Sequence, residues 1–154
     1  MLNIIKVSVI LISVVISNIS FAAELTKESV NQLLNTVEQA AKKHNSDAIG
    51  EVLADNVMIT MNIEIQGQTQ VAKVNKGQYL SMLEQGWAQV SNYDYSKSDV
   101  EIELDGDKAY ITANVNESMT VQGHDVSTSS HEEAVVELVN GKVMVTNIVG
   151  YVSM

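Results

Sequence analysis

Two dipeptides in the last third of this 154-residue chain, Asp105-Gly106 and Asn140-Gly141, constrain its fold more than any other feature. Each stands between runs in which apolar and polar residues alternate. Each also joins residue types that accept positive φ, as a two-residue hairpin turn requires. With Gln122-Gly123-His124-Asp125 as a third break, they separate four runs, 94–104, 108–121, 127–139 and 142–152, expected as an antiparallel meander. In the second run Ala109, Ile111, Ala113, Val115, Met119 and Val121 share one face, and Tyr110, Thr112, Asn114, Asn116, Ser118 and Thr120 share the other. The odd-numbered face is therefore expected to meet the core.

Helical spacing precedes the meander. Val30, Leu33, Leu34, Val37, Ala41 and His44 form one stripe, with Thr26 as the expected N-cap. A short second helix is expected from Ser46, burying Ala48, Ile49, Val52 and Leu53. A strand over 57–65 follows, then Gln66-Gly67 and a short run ending at Val74. Asn75, with Gln78 three positions on, opens a third helix whose face carries Tyr79, Met82, Leu83, Gly86, Trp87 and Val90. The order α-α-β-β-α-β-β-β-β predicts an α+β fold, a strongly curved antiparallel sheet packed on three helices.

The amino terminus obeys a different pattern. Lys6 precedes an apolar run from Val7 to Val15, and Ser20 and Ala22 occupy the small-residue positions that signal peptidase reads. The run falls short of the roughly 20 residues that span a bilayer. Residues 1–22 are therefore expected to be a signal peptide cleaved after about Ala22. Residues 23–154 are expected to be a single exported domain, periplasmic or secreted, with no membrane in its mature form. All 19 acidic residues follow Ala22, the net charge is −10, and the chain has no cysteine, proline or arginine. Such a surface repels nucleic-acid backbones and anionic headgroups, which excludes nucleic acid as a partner. A small apolar or cationic ligand and a basic protein partner stay open. No cofactor and no metal are expected.

In its order of elements the chain resembles the NTF2-like superfamily, the cone-shaped fold shared with ketosteroid isomerases and SnoaL-like polyketide cyclases. The resemblance covers about residues 26–153. It rests on that order, on the opening AAKKHNSDAIGEVLADNV and on the helix KGQYLSMLEQGW before the meander. It implies an NTF2-like cone with a ligand cavity on the concave face of the sheet. It also implies a homodimer through the convex face, around Val135, Val139, Met144, Ile148 and Val152. It implies no single activity, because this fold carries enzymes, binding modules and assembly subunits.

The hairpins allow the sheet to be registered. Two-residue turns pair Ile102 with Ala109, Val100 with Ile111, Leu138 with Val143 and Val136 with Val145. Joining the middle strands with core faces matched sets Val115 opposite Ala134 and Ala113 opposite Val136, a slip by two residues being left open. Asp94, Glu117 and Glu132 then share one row on the core face, with Ser96 and Asn147 on one side and Ser130 and Tyr151 on the other. Facing carboxylates repel. They persist where water screens them, a cation neutralises them, or one keeps its proton, the state a general acid or base needs. Glu117, Glu132 and Asp94 are accordingly the catalytic candidates, a solvated overhang of the strands being the alternative. Tyr79, Trp87, Val115, Asn147 and Tyr151 are the expected pocket residues. Gly86, beside Trp87, is expected to allow close helix–sheet approach or room for a ligand.

Three functions compete. The first is a small-molecule-binding or accessory, partner-binding module. The second is an enzyme like the isomerases and cyclases, with Glu117 or Glu132 abstracting a proton next to a carbonyl and Tyr151 or a protonated neighbour stabilising the enolate oxygen. The third is an immunity-type or assembly partner of a basic protein. The isomerases carry a tyrosine on the first helix and this chain has none there, which favours the binding module. His44 is expected at the rim or in the core. His124-Asp125 with His131-Glu132-Glu133 matches no common zinc spacing, and alternation sends 131 and 132 to opposite faces. Asp105-Gly106-Asp107 reads as a turn rather than a calcium loop.

Overall fold

Thr26 begins the first helix as expected: its hydroxyl accepts the Ser29 N–H at 3.1 Å, and the Ser29 hydroxyl accepts the Thr26 N–H at 2.9 Å. The computed structural model describes residues 23–153, so the expected signal peptide lies outside the described residues. The elements are α1 (Lys27–Lys42), α2 (Ser46–Val52), β1 (Leu53–Ile65), β2 (Gln68–Val74), α3 (Lys76–Trp87), β3 (Val90–Asp105), β4 (Lys108–Val121), β5 (His124–Val139) and β6 (Lys142–Ser153), in the expected order.

Helix α1 buries Val30, Leu33, Ala40 and Ala41. It ends in a Schellman turn: Asn45 N–H donates to the Ala40 carbonyl, His44 N–H donates to that of Ala41, and His44 is left-handed at φ 52°. Asn75 caps α3 with Gln78 as its box partner. The inward stripe of α3 is Tyr79, Leu80, Leu83 and Trp87, which corrects the expected face. Met82 is exposed, and Gly86 lies on the open side with nothing within 4 Å of where a Cβ would stand. Gly86 therefore serves neither close packing nor a pocket.

The strands form one unclosed sheet, in the order β2-β1-β6-β5-β4-β3, with β1 and β6 parallel and all other neighbours antiparallel. Helix α1 lies on β3 and α2, and α3 mainly on β1 and α2. The core forms between these helices and one sheet face, where Leu53, Ile59, Val57 and Val136 are almost wholly buried. Two polar clamps hold the layers together. Lys97 of β3 bonds Glu38 of α1, which also takes Lys42 at 3.0 Å, and the two ammonium groups hold the Glu38 carboxyl below its ordinary pKa. Lys76 of α3 reaches the Leu53 carbonyl of β1 at 2.8 Å and Asp55 at 3.1 Å.

The register departs from expectation at two of the three hairpins. Asp105 pairs with Lys108, so the first turn is Gly106-Asp107 and Ile102 faces Ile111, two residues from the expected pairing. Val121 pairs with His124 across Gln122-Gly123, both at positive φ (50° and 84°). That sets Ala113 opposite Glu132 and Val115 opposite Ser130, four residues from the expected alignment and beyond the slip left open. A two-residue turn of this hand continues the ladder to the tip of the hairpin, and a four-residue loop would have ended it earlier. The last hairpin pairs Leu138 with Val143 and Val136 with Val145, as expected.

Bulges then decide which residues face inward. In β3 the ladder slips at Asn92 and Asp99, which stand at φ 51° and 52°. Tyr93 and Tyr95 consequently face the helices in one half of the strand, and Val100 and Ile102 do so in the other. In β6 one extra residue, Thr146, stands between the Val136–Val145 and Val135–Asn147 pairs. It turns Ile148, Gly150 and Val152 inward and Asn147, Val149 and Tyr151 outward. Ile148 and Val152 thereby leave the convex patch on which the dimer expectation rested.

Candidate active site

The inward face of the sheet changes character from rung to rung. Ile59, Ile148, Ala134 and Ile111 make an apolar rung; Met61, Gly150, Glu132 and Ala113 follow, then Val152, Ser130, Val115 and Lys97, then Thr128, Glu117 and Tyr95. Strand alternation alone sends Glu132 inward with Val136, and Glu117 inward with Val115.

Glu132 stands between the two smallest residues of its rung, Ala113 and Gly150. Gly150 is buried, yet a Cβ built on it would meet no atom within 4 Å. Room is thus left beside the carboxyl group. Glu132 is half-buried, and burial, followed by the negative charge of Glu117, pushes its pKa from 4.5 up to about 7. The Ser130 hydroxyl pulls the other way, and more weakly.

Three phenols lie in the same field. Tyr79 of α3 and Tyr95 of β3 are pushed well above the ordinary tyrosine range, by burial first and then by the charge of Glu132. Both therefore stay protonated and able to donate. Tyr93 donates a hydrogen bond to Glu117. Burial is the main cause of its own raised pKa, the bond to Glu117 the next, with the Trp87 indole N–H opposing them. No side-chain polar atom among the described residues is both sealed from water and without a partner. Tyr79 is half-buried and no hydrogen bond contributes to its shift, so its hydroxyl borders space that water reaches. Beyond Tyr93 an aromatic group leads to the surface: His44 stacks on Trp87 at 5.2 Å and 6°, and Tyr93 stands edge-on to His44 at 5.1 Å and to Trp87 at 6.3 Å. Trp87 is buried and His44 exposed, the rim position expected of it.

Of the residues singled out from sequence, Glu117, Glu132, Tyr79, Trp87 and Val115 come together on the inward side. Glu117 and Glu132 stand two rungs apart instead of in one row, because of the four-residue shift between β4 and β5. Asp94 is exposed opposite Ser118, since the bulge at Asp99 inverts its strand. Asn147 and Tyr151 are turned outward by the Thr146 bulge, Tyr151 lying beside His131 at 6.2 Å. Two shallow hollows occupy this outer face. One of about 270 Å³ includes Asp94, Ser96, Asn116 and Ser118, and one of about 290 Å³ includes Tyr110, Val135 and Asn147. The first also borders Glu117 and Thr128, and neither is lined by Glu132.

Tyr93, Tyr95 and Gly150 escape a reading that carries one phase along each strand. Their signal is a change of phase: inward residues are odd at Tyr93 and Tyr95 but even at Val100 and Ile102, which only an extra residue allows. Among the described residues, no three His, Asp or Glu side chains gather where a metal ion could be held. No helix among them is long and apolar enough to cross a membrane.

Three helices over a curved, unclosed six-stranded sheet in this order are the NTF2-like fold. An NTF2-like protein from Cytophaga hutchinsonii matches with a TM-score of 0.66 at 13% identity, over 84% of this chain and 99% of that one. A proposed scytalone dehydratase from Novosphingobium aromaticivorans matches at 0.68 and 9% identity, over 82% and 83%. A proposed calcium/calmodulin-dependent protein kinase II association domain from Xanthomonas campestris matches at 0.64 and 14%, over 84% and 89%. No protein-family model matches the sequence, nor does any curated protein. Likeness at such identities speaks for the backbone alone, and the chemistry rests on the side chains.

Proposed function

We propose that this protein is an enzyme that holds a small molecule inside the cone and moves a proton with Glu132. The ionised carboxylate takes a proton from a carbon next to a carbonyl, and Tyr79 and Tyr95 donate hydrogen bonds to the oxygen that becomes negative. The protonated Glu132 then returns the proton elsewhere on the same molecule or to a leaving group, giving isomerisation or elimination. One observation carries this reading: a half-buried carboxyl group beside unfilled space, with two phenols in its field. The missing tyrosine of the first helix counts less once α3 and β3 bring phenols to the same interior. In this reading the working protein is the exported chain that follows residue 22.

The test begins with native mass spectrometry of the protein taken from its source extract. An adduct of small-molecule mass is expected on the wild type and, at lower occupancy, on Glu132→Gln. Incubated in D2O with the released compound, the wild type should exchange a carbon-bound hydrogen, faster as pH rises through about 7. Glu132→Gln should slow that exchange by roughly 100-fold or more. Equal rates in the two proteins would reduce Glu132 to a binding group.

Gly150→Val tests the space itself. A β-branched side chain suits a strand better than glycine, and its Cβ meets no atom within 4 Å here. Stability is expected to stay within about 1 kcal/mol of the wild type, while the adduct disappears. Retention of the adduct would place the ligand elsewhere.

A further inference from the structure

Resting on that reading of the pocket, we propose that its ligand is a small organic cation, its charge met by Glu117 and Glu132 and its body by the rings of Tyr79, Tyr93 and Tyr95. Both carboxylates face inward, and Lys97, which shares that face, is engaged with Glu38 of α1. The chain has no arginine. An anion would meet uncompensated repulsion here. A neutral ligand would strip water from two carboxylates and give nothing in return. A cation replaces that water with opposite charge, and aromatic faces attract it further. The site is more than an acidic cluster, because the buried, unfilled position over Gly150 and the unpartnered hydroxyl of the half-buried Tyr79 mark space for a ligand.

The proposal entails a linkage between binding and protons. The titratable groups around Glu132 are Glu117 of β4, Tyr79 of α3, and Tyr93 and Tyr95 of β3, while β6 and β1 contribute the non-titrating Gly150 and Met61. Those groups are all acids; the one cation on this inward face of β3, Lys97, stands on the rung between the two carboxylates and is paired with Glu38 of α1. A cation binds best when Glu132 is ionised; below pH 7 its binding therefore releases a proton.

Choline and 3,3-dimethylbutan-1-ol have the same shape and differ in charge, so the pair isolates the effect. Calorimetric titration should find choline binding at least about tenfold tighter than the alcohol. Its affinity should fall about 30-fold from pH 8 to pH 5.5, following the ionisation of a carboxyl that titrates at about 7. Glu117→Gln and Glu132→Gln should each weaken choline by tenfold or more at pH 8. Equal binding of the two probes, or no binding of choline, overturns the cationic ligand. If a native adduct is still lost in Gly150→Val, the pocket survives that outcome. If no adduct exists and Gly150→Val alters nothing, the pocket reading fails with it.

Discussion

Replacing Glu132 with glutamine is expected to stabilise the protein by about 3 kcal/mol at pH 8 and to change it little at pH 4. In the unfolded chain this carboxyl ionises near 4.5, and in the folded protein near 7. Between those values the folded state keeps a proton that the unfolded state has lost, so rising pH favours unfolding. The wild type thus loses stability progressively across this window and loses no more above it. Glutamine carries no charge at any pH and escapes the loss. The distance between those two values, at about 1.4 kcal/mol per pH unit, sets the upper size of the effect. Urea midpoints of the two proteins at pH 4 and pH 8 measure it directly. An equal gap at both pH values would mean that the carboxyl is solvated, and the proton-transfer reading would lose its base. A variant that gains stability as it loses activity is the usual sign of a site held in a strained electrostatic state for function.

Trp87→Ala is expected to destabilise the protein by about 3–5 kcal/mol. The indole is 8% exposed, ends the inward stripe of α3 and belongs to the core cluster. Its removal leaves a cavity that a helix end clamped by its neighbours closes only in part. It also takes away the face on which His44 stacks and the edge against which Tyr93 stands. Tyr93 then loses the support that aims it at Glu117. His44→Gly supplies the contrast. His44 is exposed, and its left-handed φ of 52° at the helix end is one that glycine adopts without strain. That variant should match the wild type within about 1 kcal/mol. Urea denaturation followed by circular dichroism compares all three proteins. A Trp87→Ala loss no larger than that of His44→Gly would remove Trp87 from the core.

Much of this architecture is legible along the chain because it is local. Thr26 and Asn75 announce their helices, since a cap needs just one side chain and the three residues after it. The odd face of β4 and the turn at Asn140-Gly141 follow from alternation and from residues that accept positive φ. Even the inward direction of Glu117 and Glu132 is present in their phase relative to Val115 and Val136.

What alternation cannot supply is the place where a strand gains a residue. Each bulge is a single position, and its effect appears only in the residues beyond it, where every side chain changes face. Asp94, Asn147 and Tyr151 face outward for that reason, and their neighbours Tyr93, Tyr95 and Gly150 take the inward places. The pairing across Gln122-Gly123 was likewise open, because a two-residue and a longer turn suit those residues equally, and packing of the whole sheet selects one. The sequence by itself determined the elements, their order and the phase of the unbulged strands, all of which depend on neighbours a few residues apart. Tertiary structure alone decided which polar groups share an interior, because burial, the field of Glu117 on Glu132 and the gap over Gly150 arise between strands that meet only in the folded sheet.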